Sequence, residues 1–525
     1  MNIITSRYPE VALREISITD RLFEGLGDDP NRVMLIDGPT GREVSVEAFR
    51  RGVRSLAGGL NARGTGKGAM IALMSPNLPE FATVFHGVAY AGGTVTLVNP
   101  TYTASELRHQ LKDSGATLLI TIPQFLAMAR EASEGTEVRE IAVIGARPEG
   151  ADDILTLADL MGAEQEAQTP IDIRNHVLAL PYSSGTTGLP KGVMLTHWNL
   201  SSNVDQTLGM VDIQPGEATV AFLPFFHIYG LECLLNMALA AGGALITMPR
   251  FDLEMFLDLS SRYRTRRMYV VPPVMIALAK HPIVDNYDLS CVEQVNSGAA
   301  PLGGDVTDTV ERRLGCPSTQ GYGMTELSPV SHSTPASEAR AGASGLTVPN
   351  TECRVVDPAT GKDVEPGAEG ELWVRGPQVM KGYWNNPKAT AETLDADGWL
   401  RTGDVVRFDE DGFMYVTDRL KELIKYKGFQ VPPAEVEAAL ITHPKVADVG
   451  VIGVPDAEAG ELPMAFVVGA GEAPTLEELQ AHLEGTLSHY KQVRLLRIVD
   501  EIPKAASGKI LRRVLREQVK EAEQA

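Results

Sequence analysis

The chain has 525 residues, more than one hydrophobic core usually organises, so a large body of fused subdomains with at least one satellite domain is expected. Hydrophobic residues make up 44% and charged residues 22%, with 50 Gly and 33 Pro, which fits a globular protein rich in tight loops and excludes a disordered chain. A formal charge of -21 argues against a generic nucleic-acid or anionic-membrane surface, since both need clustered Lys and Arg, so an anionic ligand must be gripped locally.

The opening MNIITSRYPE lacks a basic segment followed by an apolar one, and the final EAEQA is no peroxisomal address. Cys233, Cys291, Cys316 and Cys353 form no ligand-like spacing and suit reduced thiols. The expected location is the cytoplasm, with no integral membrane segment and no nucleic-acid partner. The most apolar stretch, Leu231 to Pro249, is interrupted by Glu232 and Asn236 and falls short of the ~20 apolar residues of a bilayer span, so it reads as a buried core element.

Up to about residue 170, helical patterns such as Val46 to Asn61 alternate with apolar runs such as Met70 to Met74 and Thr94 to Val98, which predicts an α/β body. A second cycle runs from His176 to about Gln320, with strands predicted at Ala244 to Met248 and Met268 to Val271 and a helix at Phe251 to Tyr263. From Glu352 to Val416 the pieces become short and β-rich, as in Glu371 to Arg375 and Gly412 to Thr417, suggesting a small barrel or sheet. After Asp418, strands at Val449 to Val454 and Ala465 to Val468 precede a helix with a Thr475/Glu478 capping box and an apolar face of Leu476, Leu479, Leu483 and Leu487. That pattern predicts a separate C-terminal α+β domain. Residues 1–417 are read as the N-terminal body, 418–422 as the hinge and 423–525 as the C-terminal domain.

The most informative segment is Tyr182-Ser-Ser-Gly-Thr-Thr-Gly-Leu-Pro-Lys-Gly192. Glycines let backbone N–H groups approach a phosphate, hydroxyls donate to its oxygens, and Lys191 adds a mobile positive charge. The spacing is not that of a P-loop, and a strand-like run, Val193 to Thr196, follows it where a P-loop would open a helix. A surface loop of the same composition would not need this order of residues.

This loop closely resembles the signature of the adenylate-forming superfamily. Further segments match in order: Gly298-Ala-Ala-Pro-Leu-Gly303, Gln320-Gly-Tyr-Gly-Met-Thr-Glu326, Gly370 to Gly376, Thr402-Gly-Asp404, Asp418 to Gln430 and Pro503 to Lys509. Within the superfamily the chain looks most like 4-coumarate:CoA ligases. The resemblance implies an α/β fold with a large N-terminal body of two α/β subdomains plus a β-barrel, and a small mobile C-terminal α+β lid. It implies ATP and CoA as co-substrates, Mg²⁺, and a small-molecule carboxylic acid converted first to an acyl adenylate and then to a thioester. Oligomeric state is left open.

Residue by residue, the resemblance puts Ser183, Ser184, Gly185, Thr186, Thr187, Gly188, Lys191, Gly298, Ala299, Ala300, Pro301, Gln320, Gly321, Tyr322, Gly323, Met324, Thr325, Asp404 and Arg419 around the nucleotide, with Glu326 on the metal. Lys509 would bridge the carboxylate and the α-phosphate during adenylation, and Lys421 would be the hinge. Lys425 and Gln430 would serve thioester formation, with Lys425, Lys427 and Gly428 near CoA. His227, Tyr229, Cys233, Met275, Asn296, Ala299, Gly321, Pro329 and Val330 would line the acid pocket, His227 orienting the carboxylate. Taken alone, most of these are ordinary: a C-terminal lysine is usually a solvated charge, a Thr-Glu pair a helix cap, an Asp after Gly a turn, and a His among aromatics a bonded core residue.

Asn296 stands where plant relatives commonly carry Met or Lys, and Cys233 where a smaller polar residue is frequent. The mixed apolar and aromatic lining suits a hydroxycinnamate or a medium- to long-chain fatty acid, each burying an apolar body behind one carboxylate. Two other classes share the adenylation step, a luciferase-like monooxygenase and an enzyme loading a carrier protein. No carrier-like module follows Lys509.

Overall fold

The structure is a computed structural model that describes residues 2–524, except 184–189, 301, 303, 421, 427–428, 457–458, 485–486, 488 and 506–507, with residues 418, 419, 429, 430, 523 and 524 described in backbone only. It is a mixed α/β protein with a large N-terminal body and a C-terminal domain.

The first half of the body is built on an eight-stranded sheet, whose inner strands Thr94–Leu97, Met70–Leu73 and Leu118–Thr121 run parallel and are buried end to end. Continuous apolar runs such as MIAL and TVTL are what a parallel sheet covered on both faces requires. Val177–Ser183 joins this sheet beside Thr94–Leu97 and pairs antiparallel with Lys191–Thr196, a hairpin whose two strands carry the ends of the glycine-rich segment. Gly382–Tyr383 adds antiparallel to Lys191–Thr196, which brings a late part of the chain to the mouth of that hairpin.

Two smaller sheets complete the α/β part. One orders Ala218–Ala221, Ala244–Thr247, Val33–Asp37 and Glu43–Ser45, and the other is the parallel trio Arg267–Val270, Gln294–Ser297 and Ser318–Gln320. The stretch predicted as one apolar core element, Leu231 to Pro249, divides into the end of a π-helix, Tyr229–Asn236, a short helix, Met237–Ala240, a turn, and the strand Ala244–Thr247. The helix expected at Phe251 to Tyr263 is Leu253–Arg262, started by the Asp252 carboxylate accepting from the Met255 N–H.

The β-rich region forms a second eight-stranded sheet ordered Ile4–Thr5, Glu352–Val356, Gly370–Arg375, Leu400–Phe408, Phe413–Arg419, Gly345–Thr347, Val330–Ser333 and Tyr322–Gly323. The C-terminal domain carries a five-stranded sheet in which Val446–Asp456 and Gly460–Gly469 form a long hairpin. Its own core includes Val436, Leu440, Val451, Ala465, Leu479 and Leu483. The Thr475/Glu478 capping box forms, but the helix ends at Leu483, so Leu487 packs from beyond it. The last helix begins at Arg512, because Ile510 bridges back to Lys504 and Leu511 donates to the Pro503 carbonyl.

Candidate functional site between the body and the C-terminal domain

A cleft of about 200 Å³ opens between the two parts. The body lines it with Ala299, Ala300, Gln320, Gly321, Tyr322, Gly323 and Asp404, and the C-terminal domain contributes Gly508 and Lys509. Segments far apart in sequence thus meet because the trio of parallel strands delivers Ser297 and Gln320 to the same sheet end, where their following loops lie side by side.

Backbone geometry shapes this floor. Ala299 sits at φ +75, a left-handed conformation uncommon outside glycine and often found where function holds the chain. Next to it, a Cβ on Gly298 would come within 3.0 Å of the Tyr229 ring, so only glycine lets the strand end lie against that ring. Gln320 is buried and braces the neighbouring loop: its Oε1 accepts from the Leu302 N–H at 3.1 Å and its Nε2 donates to the Leu302 carbonyl at 3.2 Å. It therefore shapes the site through its side chain as a structural strut.

On one side of the cleft, Asp404 is almost fully buried and accepts from the Tyr322 hydroxyl at 2.5 Å. Asp404 faces Arg419 across paired strands, which brings the chain just before the C-terminal domain to the same place. Glu326, which is not among the residues lining the cleft, is buried and accepts from the Tyr383 hydroxyl at 2.8 Å and from the Ser183 hydroxyl at 3.1 Å. The Lys191 ammonium lies 4.9 Å from the centre of the Tyr383 ring. Tyr383 thus contacts both Lys191 and Glu326, and Glu326 in turn holds Ser183. Nothing in the sequence pointed to it, because 57 residues separate it from Glu326 without a periodic pattern.

His227, Tyr229, Cys233 and Met275, expected around the acid, are part-buried or buried and are not among the residues that line this cleft. Burial together with the positive charge of Lys509 lowers the His227 pKa to about 4, so the imidazole is neutral at pH 7 and Lys509 is its neighbour. The Tyr229 hydroxyl donates to the Val270 carbonyl at 3.4 Å, and burial pushes the Tyr229 and Cys233 groups up, away from ionisation. Asn296 donates from Nδ2 to Thr319 at 3.0 Å and lies opposite Tyr269 in the strand register. Val330 is held by Asn203 through two hydrogen bonds of 2.8 and 3.0 Å, Pro329 accepts from Met324, and Thr325 and Met324 continue the loop. Sequence reasoning missed Tyr269 and Ser297, whose hydroxyls are buried with no hydrogen-bond partner among the described residues. The only available signal was their placement on the strands that end at the site.

Lys425 is exposed on the strand Ile424–Tyr426, pairs with Gln430 across the hairpin, and is not among the residues lining the cleft. Ser184, Gly185, Thr186, Thr187, Gly188, Pro301, Lys421, Lys427 and Gly428 lie outside the described residues, as do the side chains of Arg419 and Gln430.

Two family profiles cover this arrangement: AMP-binding enzyme over residues 23–384, and AMP-binding enzyme C-terminal domain over residues 435–509. The chain belongs to the AMP-binding enzyme family. Similar curated proteins include 4-coumarate–CoA ligase 5 of Oryza sativa subsp. japonica, 40% identical over 530 residues covering 98% of this AMP-binding enzyme and 97% of the relative. Another is 4-coumarate–CoA ligase 2 of Nicotiana tabacum, also 40% identical, covering 98% and 96%. Among solved structures, the anthranilate CoA ligase AuaEII in complex with anthranoyl-AMP superposes with a TM-score of 0.90 at 27% identity, covering 98% of this AMP-binding enzyme and 99% of that chain. ATP-bound MatB from Rhodopseudomonas palustris gives 0.87 at 30% identity, covering 96% and 99%. No helix among the described residues is long and apolar enough to cross a membrane.

Proposed function

We propose that this protein joins a hydroxycinnamate-type aromatic acid to CoA. It is an AMP-forming acid:CoA ligase that works through an acyl adenylate, using ATP and CoA as co-substrates. The observation that favours a phenolic acid over an aliphatic one is the unpartnered, buried Tyr269 hydroxyl beside Tyr229 and Cys233. A phenol seated there would give that hydroxyl a partner, a net hydrogen bond of about 0.5–1.5 kcal/mol that an alkyl chain does not offer.

In the first half-reaction a carboxylate oxygen attacks the α-phosphorus, a new O–P bond forms, and pyrophosphate leaves. Two anions must meet, so a cation aimed at the developing charge is the main requirement. Lys509 supplies it from the C-terminal domain. Neutral His227 beside it adds no competing positive charge and presents a ring nitrogen to orient the acid. Asp404 accepts from the ribose hydroxyls, and Ser183, Lys191, Thr325 and the rest of the glycine-rich segment hold the phosphates. Glu326 fits Mg²⁺: the cation is usually bound by one or two carboxylates plus phosphate oxygens and water, and Glu326 is a single buried carboxylate at the phosphate end. The metal would neutralise phosphate charge there.

In the second half-reaction the CoA thiolate attacks the acyl carbon, the C–S bond forms and AMP departs. Lys425, Gln430, Lys427 and Gly428 serve this step after residues 418–422 turn as a hinge between the body 1–417 and the domain 423–525. Four free cysteines suit a reducing compartment, and the cytoplasm is the proposed location.

The test is to incubate the protein with ATP, Mg²⁺, CoA and equimolar cinnamates, benzoates and C6 to C16 fatty acids, reading thioesters by mass spectrometry. A dominant hydroxycinnamoyl-CoA is expected. A dominant aliphatic thioester would remove the hydroxycinnamate assignment, and acyl-AMP without thioester would remove the CoA assignment.

A further inference from the structure

Lys509 sits on a loop that leaves the C-terminal domain at Pro503 and returns at Arg512. The loop closes on itself through three backbone bonds: Gly508 N–H to Ala505 O at 2.8 Å, Ala505 N–H to Lys509 O at 2.8 Å, and Leu511 N–H to Pro503 O at 2.8 Å. Its tip presses on the body, since a Cβ on Gly508 would lie 3.1 Å from Pro273. A lysine that must reach a reacting centre from such a loop needs both legs held, because an arm free at its base gives the charge many positions.

Both legs are held by ion pairs. On the incoming leg, Lys504 Nζ meets Asp448 at 2.6 Å. On the outgoing leg, Arg512 donates through one nitrogen to Glu422 at 2.6 Å and through the other to both oxygens of Glu437 at 2.7 and 2.8 Å. Its Nε donates to the Val451 carbonyl at 3.1 Å, and the Val451 N–H donates back to Glu437 at 2.7 Å. The Arg512, Glu422 and Glu437 side chains are only 10, 9 and 13% exposed. All three guanidinium nitrogens thus have acceptors in different directions, which fixes the orientation of the group as well as its charge. Glu422 belongs to the segment that joins the body to the C-terminal domain, so a single arginine ties the lysine loop, the helix Pro433–Leu440 and the connecting segment together.

We propose that Arg512 is a positioning residue for adenylation: by clamping Glu437 and Glu422 it fixes the outgoing leg of the Lys509 loop and so aims the Lys509 ammonium into the cleft. The inference rests on Lys509 being the adenylation lysine. A structural arginine whose loss merely loosened the domain would affect every step that uses the domain. An arginine that aims Lys509 affects only the step that uses Lys509.

The experiment compares full-length wild type, Arg512→Met, Arg512→Lys and Lys509→Ala. Adenylation is read as ATP–pyrophosphate exchange with whichever acid of the panel gives most thioester, and thiolysis as thioester formation from the synthetic acyl-AMP of that acid plus CoA. Misplacement of a catalytic group by about 1 Å costs about 100-fold, so Arg512→Met is expected to lose on the order of 100-fold in exchange kcat with the KM for ATP nearly unchanged and thiolysis largely kept. Arg512→Lys, which keeps the charge but cannot reach Glu422, Glu437 and Val451 at once, should recover part of the exchange. Parallel loss of both half-reactions in both Arg512 variants, or full exchange activity in Arg512→Met while Lys509→Ala is inactive, would overturn the inference alone. Exchange activity in Lys509→Ala would overturn the reading of Lys509 and the inference with it.

Discussion

At the scale of single residues, the proposed nucleotide end of the cleft rests on Asp404, a carboxylate that is buried and lines the cleft. Asp404 accepts from Tyr322 at 2.5 Å, and its backbone N–H donates to Thr402 at 3.1 Å, so its orientation is set before any ligand arrives. A hydrogen bond to a charged group contributes about 1.5–3 kcal/mol, or roughly 10- to 100-fold in affinity. Asp404→Ala is therefore expected to raise the KM for ATP by that factor, and Tyr322→Phe, which leaves the carboxylate in place but unaimed, by less. Steady-state kinetics at saturating acid would check it; an unchanged KM for ATP in Asp404→Ala would remove Asp404 from the nucleotide site. Asp404 was legible in the sequence because Thr402-Gly-Asp404 matches a family segment. Tyr383 and Arg512 were not legible: their partners Glu326, Glu437 and Glu422 lie 57, 75 and 90 residues away, and no local period encodes such a meeting.

Elements show the same division. Short apolar runs such as Met70 to Leu73 read correctly as strands because burial on both faces leaves no other composition open to them. Their pairing order did not, since the placement of Gly382–Tyr383 beside Lys191–Thr196 is decided by tertiary packing. The π-helix Tyr229–Asn236 was also hidden: its extra residue per turn leaves no signature in an apolar stretch, although such turns concentrate at functional sites. Within it, Tyr229 and Cys233 are proposed acid-pocket residues, while Glu232 is buried and accepts from Asn236 at 2.6 Å. Burial pushes the Glu232 carboxyl well above its ordinary 4.5, so the folded protein keeps a proton that the unfolded chain releases. The native state then binds more protons above pH 4.5, and this residue's contribution to stability falls as pH rises. Glu232→Gln cannot ionise in either state. It is expected to be more stable than wild type at pH 8, with the advantage shrinking toward pH 5, as read by urea unfolding at both values. A difference independent of pH would show that Glu232 is ionised in the fold.

For the whole molecule, the opposite proton balance comes from three histidines sealed in the N-terminal body. His86, His197 and His332 are all 0% exposed, and burial lowers each from 6.5 to about 3. His86 bonds to Thr19 at 3.0 Å, His197 accepts from the Ile18 N–H at 3.4 Å, and His332 meets Ser331 at 3.0 Å, so each ring is neutral and held by uncharged groups. As pH falls below 6.5 the unfolded chain takes up protons at these positions and the native state does not, until pH approaches 3. Stability is therefore lost on the acid side of 6.5, at roughly 1 kcal/mol per histidine between pH 7.5 and 5.5. The C-terminal domain has its own core and carries none of the three, and there burial lowers His443 as well. Unfolding of the full chain at pH 7.5, 6.5 and 5.5, followed by a probe in the body, should show stability falling with protons taken up on unfolding, about one from each of the three histidines and one from His227 at the lowest pH, offset by the proton that Glu232 releases. His332→Gln, which keeps a neutral polar side chain in the same enclosure, should reduce that uptake by about one proton. A slope unaltered in His332→Gln would mean that His332 charges inside the fold, and the acid sensitivity would have to come from elsewhere.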